Sequence, residues 1–117
     1  MNELDPVIHA QGRLRIVSVL DTLGPGDSLS FTRIQSILGV TSGGLASHLR
    51  KLEDAEYIRV VKTHRGRTPV TYISLTPAAR AAFITYKAQL AALMAFSGEP
   101  GDVVSGEAVS AESIPKS

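Results

Sequence analysis

The sequence predicts a mostly helical α+β domain in which a helix-turn-helix is followed by a β-hairpin and a long last helix. Three observations lead to this prediction. Apolar residues recur at helical spacing in several segments, and a short glycine-containing turn joins two of these helices. Two runs rich in β-branched residues also flank a loop of turn residues. The expected order is helix, short strand, helix, helix, strand, strand and helix.

The length and composition predict one folded domain followed by a tail. The chain has 117 residues, of which 44% are hydrophobic and 20% are charged, values typical of a globular domain. We assign residues 1–96 to the folded domain. Residues 97–117 are rich in Ser, Gly and Pro and carry four acidic side chains against one basic, which predicts a disordered acidic tail. The tail is either a passive segment that increases solubility or a segment that competes with an anionic ligand for a basic surface of the domain.

Several function classes are excluded by what the sequence lacks. There is no cysteine, and nothing in the sequence brings the three histidines together, so we expect neither a metal site nor a cofactor. Glycine-rich phosphate loops, nucleophile elbows and paired carboxylates are also missing, which argues against an enzyme. No stretch approaches the roughly 20 apolar residues of a membrane span, and the N-terminal start is acidic. We therefore expect a cytoplasmic protein without a membrane partner.

The first helix is predicted to begin at Asp5 and Pro6. Asp is a good N-cap, and Pro suits the first helical position because its missing N–H is not needed there. Val7 and Ile8 begin an apolar stripe that continues at helical spacing. The Gly-Pro-Gly segment at 24–26 is expected to end the helix.

The next two helices form the predicted helix-turn-helix. After a short extended piece at 28–31, Thr32 and Gln35 have the spacing of a capping box, which predicts a helix through about residue 38. Gly39 is the expected stop. Thr41 and Ser42 then cap a helix that runs to about residue 55. Its buried stripe consists of Leu45, Leu49 and Leu52.

The face of this helix opposite the leucines is polar. On a helical wheel it presents Gly43, Ser47, Arg50, Lys51 and Asp54, with Gly44 and His48 on a flank. Small and hydrogen-bonding residues come first and cations later, which suits a helix N-terminus in the DNA major groove. The two glycines either permit close approach to nucleic acid or simply loosen the helix start. His48 either hydrogen-bonds DNA or packs on the flank.

A β-hairpin with a basic tip is predicted after the helix-turn-helix. The strands span about 57–64 and 70–75, and the loop between them is Arg65 to Pro69. Residues 28–75 carry seven basic and three acidic side chains, so positive charge is concentrated in the helix-turn-helix and the hairpin. The alternative is that these Lys and Arg side chains simply belong to a solvated surface and bind nothing.

The last helix is predicted to begin at Thr76-Pro77 and to end near residue 96. A seam of apolar residues follows it at spacings of four and three: Ala79, Phe83, Tyr86, Leu90 and Leu93. The seam either covers the domain's own core or contacts a second copy of the chain. We favour the dimer contact, with Val7 and Ile8 of the first helix taking part.

These elements and several segments together resemble small MarR-like and ArsR-like regulators of bacteria and archaea, which have a winged helix-turn-helix fold. The resemblance covers about residues 4–96 and rests on the following segments: LDPVIH at 4–9, RLRI at 13–16, LSFTRI at 29–34, LASHLRKLEDAEYI at 45–58 and RGRTPVTYISLTP at 65–77. It implies a transcriptional regulator that binds a pseudo-palindromic operator on double-stranded DNA as a homodimer. It also implies that residues 41–51 read DNA and that Arg65, Gly66, Arg67 and Thr68 form the wing.

Two departures from the family's pattern stand out. Glu56 occupies the place where the family usually has a glycine that ends the recognition helix, so a strained or differently capped turn is expected there. The Cys ligands of metal-sensing ArsR-like members are missing. Whether an unknown small-molecule effector binds stays open. The alternative function is a winged-helix protein-interaction module without specific DNA binding.

Overall fold

The computed structural model of the chain describes residues 4–97. It contains four α-helices and three β-strands in the predicted order: α1 Gln11–Asp21, β1 Leu29–Ser30, α2 Phe31–Leu38, α3 Ser42–Asp54, β2 Ile58–Arg65, β3 Thr68–Leu75 and α4 Pro77–Ser97. The mostly helical winged helix fold is therefore confirmed. Residues 98–117, which hold nearly all of the predicted acidic tail, lie outside the described residues.

The three strands form one antiparallel sheet in the order β1-β3-β2. The short β1 pairs Leu29 with Ile73, whereas β2 and β3 pair along their full lengths. The helices and one face of the sheet enclose a single cluster of buried apolar side chains, which is expected because each element must bury its apolar side. The cluster consists of Ile8, Ile16, Val17, Leu20, Ile34, Leu45, Leu49, Leu52, Ile58, Ile73, Leu75, Ala79, Phe83 and Tyr86.

The prediction that the first helix begins at Asp5 is wrong by several residues. Asp5 does cap a turn, because its Oδ1 accepts the backbone N–H of Val7 at 2.9 Å and its carbonyl accepts the N–H of His9 at 2.8 Å. The chain then becomes extended at Ala10, and α1 starts only at Gln11. Arg13 holds the separate turn in place, since its Nε donates to the Val7 carbonyl at 2.7 Å.

The N-cap of α2 is Ser30 rather than the predicted Thr32. The Ser30 Oγ accepts the N–H of Arg33 at 3.1 Å, and its backbone is extended because it is also the last residue of β1. A residue in a strand already has the dihedral angles that an N-cap requires. The prediction for α3 is confirmed, because Thr41 is its N-cap and accepts the N–H of Gly44 at 3.0 Å.

The turn after α3 is strained at Glu56, as the sequence suggested. Glu56 has φ 62°, in the left-handed region that glycine adopts without steric cost. The N–H of Glu56 donates to the Glu53 carbonyl, and the N–H of Tyr57 donates to the Leu52 carbonyl, both at 2.9 Å. These two bonds form the Schellman motif, which usually carries a glycine at this position.

We expect Glu56→Gly to increase the free energy of unfolding by about 0.5–1 kcal/mol. Left-handed backbone costs a residue with a side chain about 1–2 kcal/mol, and the extra flexibility of unfolded glycine returns about half of this. Urea unfolding measures the change. Glu56→Ala is the matched control, because it removes the carboxylate but keeps the strain. A gain in stability from Glu56→Ala as large as that from Glu56→Gly would show that the charge, not the backbone, is unfavourable.

The hairpin turn is shorter than the predicted loop of residues 65–69. Arg65 pairs with Thr68, so Gly66 and Arg67 alone form the turn, and Gly66 has φ 65°. Pro69 suggested a loop, but it lies in β3 opposite His64. Proline is tolerated in a strand where no partner needs its missing N–H, and β1 pairs with β3 only at residues 72 and 73.

The turn at Asp5 is joined to the start of β2 by a hydrogen bond from the Tyr57 hydroxyl to Asp5 Oδ2. Burial raises the pKa of Tyr57 from 10.0 to about 12, and the hydrogen bond and negative charge of Asp5 act in the same direction. The pKa of Tyr57 is higher in the folded state than in the unfolded state. Protonated Tyr57 therefore makes its full contribution to the free energy of unfolding below about pH 10, and this contribution is lost as the pH rises through about 12.

We therefore expect Asp5→Asn to lower the pKa of Tyr57, because the charge that disfavours tyrosinate is removed. An NMR titration of isotopically labelled tyrosine side chains measures this, with Tyr72 and Tyr86 in the same protein as internal references. An unchanged pKa of Tyr57 in the variant would contradict a role for the Asp5 carboxylate.

Candidate nucleic-acid interface

The structure places the polar residues of α3 on its exposed face. Leu45, Leu49 and Leu52 are buried, as the helical wheel predicted. The exposed residues between positions 41 and 51, here called the outer face of α3, are Thr41, Ser42, Gly43, Gly44, Ser47, Arg50 and Lys51. Among them, the Thr41 side chain already accepts a backbone hydrogen bond, whereas Ser42 and Ser47 have no such bond within residues 4–97. Two acidic residues, Glu53 and Asp54, are exposed in the last turn of the helix.

The two glycines of the outer face differ in their surroundings. A Cβ at Gly44 would lie 3.0 Å from Thr41 Oγ1, so the N-cap itself leaves little room for a side chain. A Cβ at Gly43 would meet nothing within 4 Å. Packing inside the chain therefore accounts for Gly44 but gives no reason for Gly43.

His48 lies on the flank of α3 and is half-buried against α1. Its imidazole packs on Gly12, where an added Cβ would overlap the ring, and its Nδ1 lies 3.5 Å from Nη1 of Arg13. Because arginine can only donate, Nδ1 is the acceptor in this contact. The sequence left open whether His48 hydrogen-bonds DNA or packs on the flank of α3. In the structure it packs on the flank, against α1.

The hairpin tip, defined as residues 65–68, is exposed throughout. One of its two arginines is held in place, because Nη2 of Arg65 donates to the Tyr72 hydroxyl at 2.7 Å. Sequence reasoning missed the role of Tyr72. The register puts Tyr72 opposite Val61 and on the same face of the hairpin as Arg65, so only the length of the arginine and tyrosine side chains brings them together.

Among the described residues, the cations of the outer face and of the hairpin tip have no acidic partner within ion-pair distance. Within residues 4–97, the ion pairs join Asp21 to Arg80 at 3.4 Å and to Lys87 at 3.6 Å, both on the α1–α4 side. Arg50, Lys51 and Arg67 are exposed and make no ion pair there. Their charges are therefore free to attract an anionic ligand.

Most residues that we assigned to a dimer contact lie in the core of a single chain. Ile8, Ala79, Phe83 and Tyr86 are at most 5% exposed, and Val7 and Leu90 pack against the same cluster. Leu93 is half-buried. The seam of α4 thus covers its own domain. Other positions of α4 expose the large apolar side chains of Ile84 and Met94, which are 66% and 68% exposed.

Two other kinds of site are not found in the part of the chain that the structure describes. No group of three or more His, Asp or Glu side chains in residues 4–97 is arranged to hold a metal ion. None of the described helices is both long and apolar enough to cross a membrane.

The fold and this surface together define a DNA-binding helix-turn-helix domain with a β-hairpin wing. The second helix of the motif exposes polar and cationic side chains, and a basic hairpin follows it in the chain. The chain belongs to the winged helix DNA-binding domain family, whose model matches residues 13–94. No curated protein matches the sequence.

Solved structures of transcriptional regulators are similar to the chain. A transcriptional regulator homologue from Pyrococcus horikoshii OT3 is 26% identical, with a TM-score of 0.71 over 80% of this chain and 89% of that one. A MarR-family regulator from Enterococcus faecalis V583 is 16% identical, with a TM-score of 0.67 over 83% and 84%. A PadR-family regulator from Eggerthella lenta is 18% identical, with a TM-score of 0.62 over 80% and 86%. The resemblance to MarR-like winged helix regulators is confirmed.

Proposed function

We propose that the protein is a cytoplasmic, sequence-specific transcriptional regulator that binds a pseudo-palindromic operator as a homodimer. In this proposal α3 lies in the major groove, and the hairpin tip contacts the backbone or enters the adjacent minor groove. The observation that supports it best is the set of exposed cations on the outer face of α3 and the hairpin tip, which make no ion pair with any residue from 4 to 97. Interface cores between proteins tend to be depleted in charge, so a protein partner suits this surface less well than DNA does.

The residues divide into two roles. Arg50, Lys51, Arg65 and Arg67 would bind phosphates, and Arg65 is already held in position by Tyr72. Ser42 and Ser47, with small neighbours at Gly43 and Gly44 that allow close approach, would contact base edges. Thr41 would cap α3 and thus position these side chains. His48 would help to orient α3 through its contacts with Gly12 and Arg13 of α1.

The proposed homodimer uses α4. Its seam is already covered by the chain's own core, so a second copy would pack on the exposed part of α4, which includes Ile84 and Met94. The dimer would place two copies of α3 about 34 Å apart, one turn of DNA. Analytical ultracentrifugation tests this part, and Ile84→Asp with Met94→Asp is expected to give a monomer.

Selection from a random-sequence DNA library, repeated over a series of salt concentrations, tests the whole proposal. We expect a two-fold-symmetric motif, bound by a dimer with an affinity that falls steeply as salt increases. Enrichment of no motif, with weak binding to all sequences, would contradict specific recognition. No binding at low salt would exclude DNA and direct attention to a protein partner for the same surface.

We expect Ser47→Ala to change the preference at one or two base pairs of the selected motif. The hydroxyl of Ser47 is exposed in the middle of the outer face of α3, where a single hydrogen bond to a base edge contributes about 0.5–1.5 kcal/mol of discrimination. Repeating the library selection with the variant measures the change, with Ser36→Ala, exposed on α2, as the control. An equal loss of affinity for all sequences would contradict a base contact.

A further inference from the structure

A groove of about 320 Å³ separates α3 from the β-hairpin and is here called the α3–hairpin groove. Its floor is apolar, because Phe31, Leu49 and Val60 line it and belong to the core cluster or pack against it. Arg50 lines the groove from α3, and Lys62 lines it from β2. The groove therefore combines an apolar floor with one cation from each of the two elements that form its sides.

The pairing of the two strands explains which hairpin residues reach this groove. Lys62 pairs with Thr71, and both line the groove on the hairpin side. Successive residues of a strand point to opposite faces of a sheet, so Val60 shares the face of Lys62, whereas Arg59 and Val61 lie on the other face. Sequence reasoning assigned no role to Lys62, because a count of charges along the chain does not separate the two faces of a hairpin.

The two cations of the groove are available to a ligand. Arg50 and Lys62 are exposed, and neither makes an ion pair with any residue from 4 to 97. Glu53 also lines the groove and likewise makes no ion pair within this part of the chain. Cations on the two sides of an apolar floor complement a ligand with an apolar centre between two anionic groups. A deoxyribose with its two flanking phosphates has this form.

The proposed complex brings such a unit to the groove. With α3 in the major groove and the hairpin tip at the adjacent minor groove, the sugar-phosphate strand that separates these two DNA grooves passes between α3 and the hairpin. We propose that the α3–hairpin groove binds one deoxyribose of this strand, with the sugar against the apolar floor and its two flanking phosphates at Arg50 and Lys62. This inference rests on the proposed function and adds Lys62 to the DNA-binding residues.

The apolar floor also predicts which sugar the groove accepts. The 2′-hydroxyl is the group by which a protein distinguishes RNA from DNA. In contact with Leu49 and Val60, this hydroxyl would lose hydrogen bonds to water without gaining a partner on the floor. A ribonucleotide at this one position is therefore expected to weaken binding by about fivefold or more.

The first experiment compares Lys62→Ala with a control on the other face of the same strand. The probe is a duplex that carries the motif selected from the DNA library. Lys62→Ala is expected to weaken binding about fivefold at physiological salt and to reduce the slope of log K against log salt by about 1. Arg59→Ala removes one exposed positive charge from the other face and is expected to leave the slope unchanged.

Two outcomes of this comparison would overturn the assignment of Lys62: an unchanged slope in Lys62→Ala, or an equal decrease in Arg59→Ala. Thermal unfolding establishes that both variants are folded. Glu53→Gln changes the groove in the opposite direction, because it removes a negative charge that repels the phosphates. It is expected to strengthen binding about twofold or more. A weaker complex would place the strand away from Glu53 and overturn the site.

The second experiment replaces the phosphates of the same duplex one at a time by neutral methylphosphonate. Among the positions that weaken wild-type binding, one is expected to have no effect on Lys62→Ala, and the adjacent one no effect on Arg50→Ala. The sugar between these two positions is expected to be the one at which a single ribonucleotide weakens wild-type binding. Val60→Thr, which offers a hydroxyl partner on the floor, is expected to reduce this ribonucleotide effect, and Val61→Thr on the other face is the control.

The unmodified duplex separates the failure of this inference from the failure of the proposed function. If the wild-type protein does not bind it, the proposed function and the site are both overturned. If the wild-type protein binds it but the two phosphate positions are not adjacent, or the ribonucleotide between them has no effect, the site alone is overturned.

Discussion

Replacing Arg50, Lys51 and Arg67 together by alanine is expected to weaken DNA binding by about 100-fold at physiological salt and to reduce the slope of log K against log salt by about 3. Each cation that neutralises a phosphate releases about one counterion, and each released counterion contributes about fivefold to affinity at this salt concentration. The three side chains are exposed and make no ion pair within residues 4–97, so their removal leaves no acidic partner exposed in the free protein.

Filter binding or fluorescence anisotropy over a series of salt concentrations measures this effect. Arg67→Ala alone is expected to reduce the slope by about 1, which isolates the contribution of the hairpin tip. The matched control is Lys87→Ala on α4, because Lys87 is paired with Asp21 on the α1–α4 side. An unchanged slope in the triple variant would contradict phosphate binding by the outer face of α3 and the hairpin tip.

Leu52→Ala is expected to lower the free energy of unfolding by about 2–5 kcal/mol. Leu52 is fully buried in the core, and its carbonyl accepts the Tyr57 N–H that closes the turn after α3. Truncation leaves a cavity where α3 meets the sheet, and a domain of this size has a total stability of only about 5–15 kcal/mol. The variant therefore loses a large part of its stability.

Chemical denaturation measures the loss. Ile37→Ala is the control, because Ile37 is 44% exposed on α2 and its truncation is expected to cost less than about 1 kcal/mol. A cost for Leu52→Ala as small as that for Ile37→Ala would show that the surrounding side chains close the cavity.

The order of elements was predicted well because the signals are local: α1, α3 and α4 each carry a periodic apolar stripe, α2 follows a capping signature, and β-branched residues mark the strands. Thr41 and Thr76 were predicted as caps on local grounds, and both accept the expected N–H, from Gly44 and from Ala79. The errors arise where tertiary contacts decide the local structure. Asp5 caps a separate turn because Arg13 and Tyr57 bind that turn, and Ser30 replaces Thr32 as a cap because β1 pairs with β3.

The sequence likewise predicted only those parts of the candidate site that depend on a single helix. Exposure of the outer face of α3 follows from the leucine stripe alone, so the wheel identified Ser47, Arg50 and Lys51 correctly as exposed residues. The placement of His48 depends on α1, which is more than thirty positions away in the chain. A pocket between α1 and α3 likewise combines residues of three helices, α1, α2 and α3. Neither the composition of the chain nor the spacing of its residues predicts such a cavity.

Arg80 joins the last helix to the end of the first. Its guanidinium lies 3.4 Å from the Asp21 carboxylate and donates at 3.2 Å to the carbonyls of Leu23 and Gly24. These contacts fix the direction in which α4 leaves the domain. If α4 joins two copies, that direction determines how far apart the two reading helices stand. The spacing between the halves of an operator would then depend on an arginine that lies outside both the outer face of α3 and the hairpin tip.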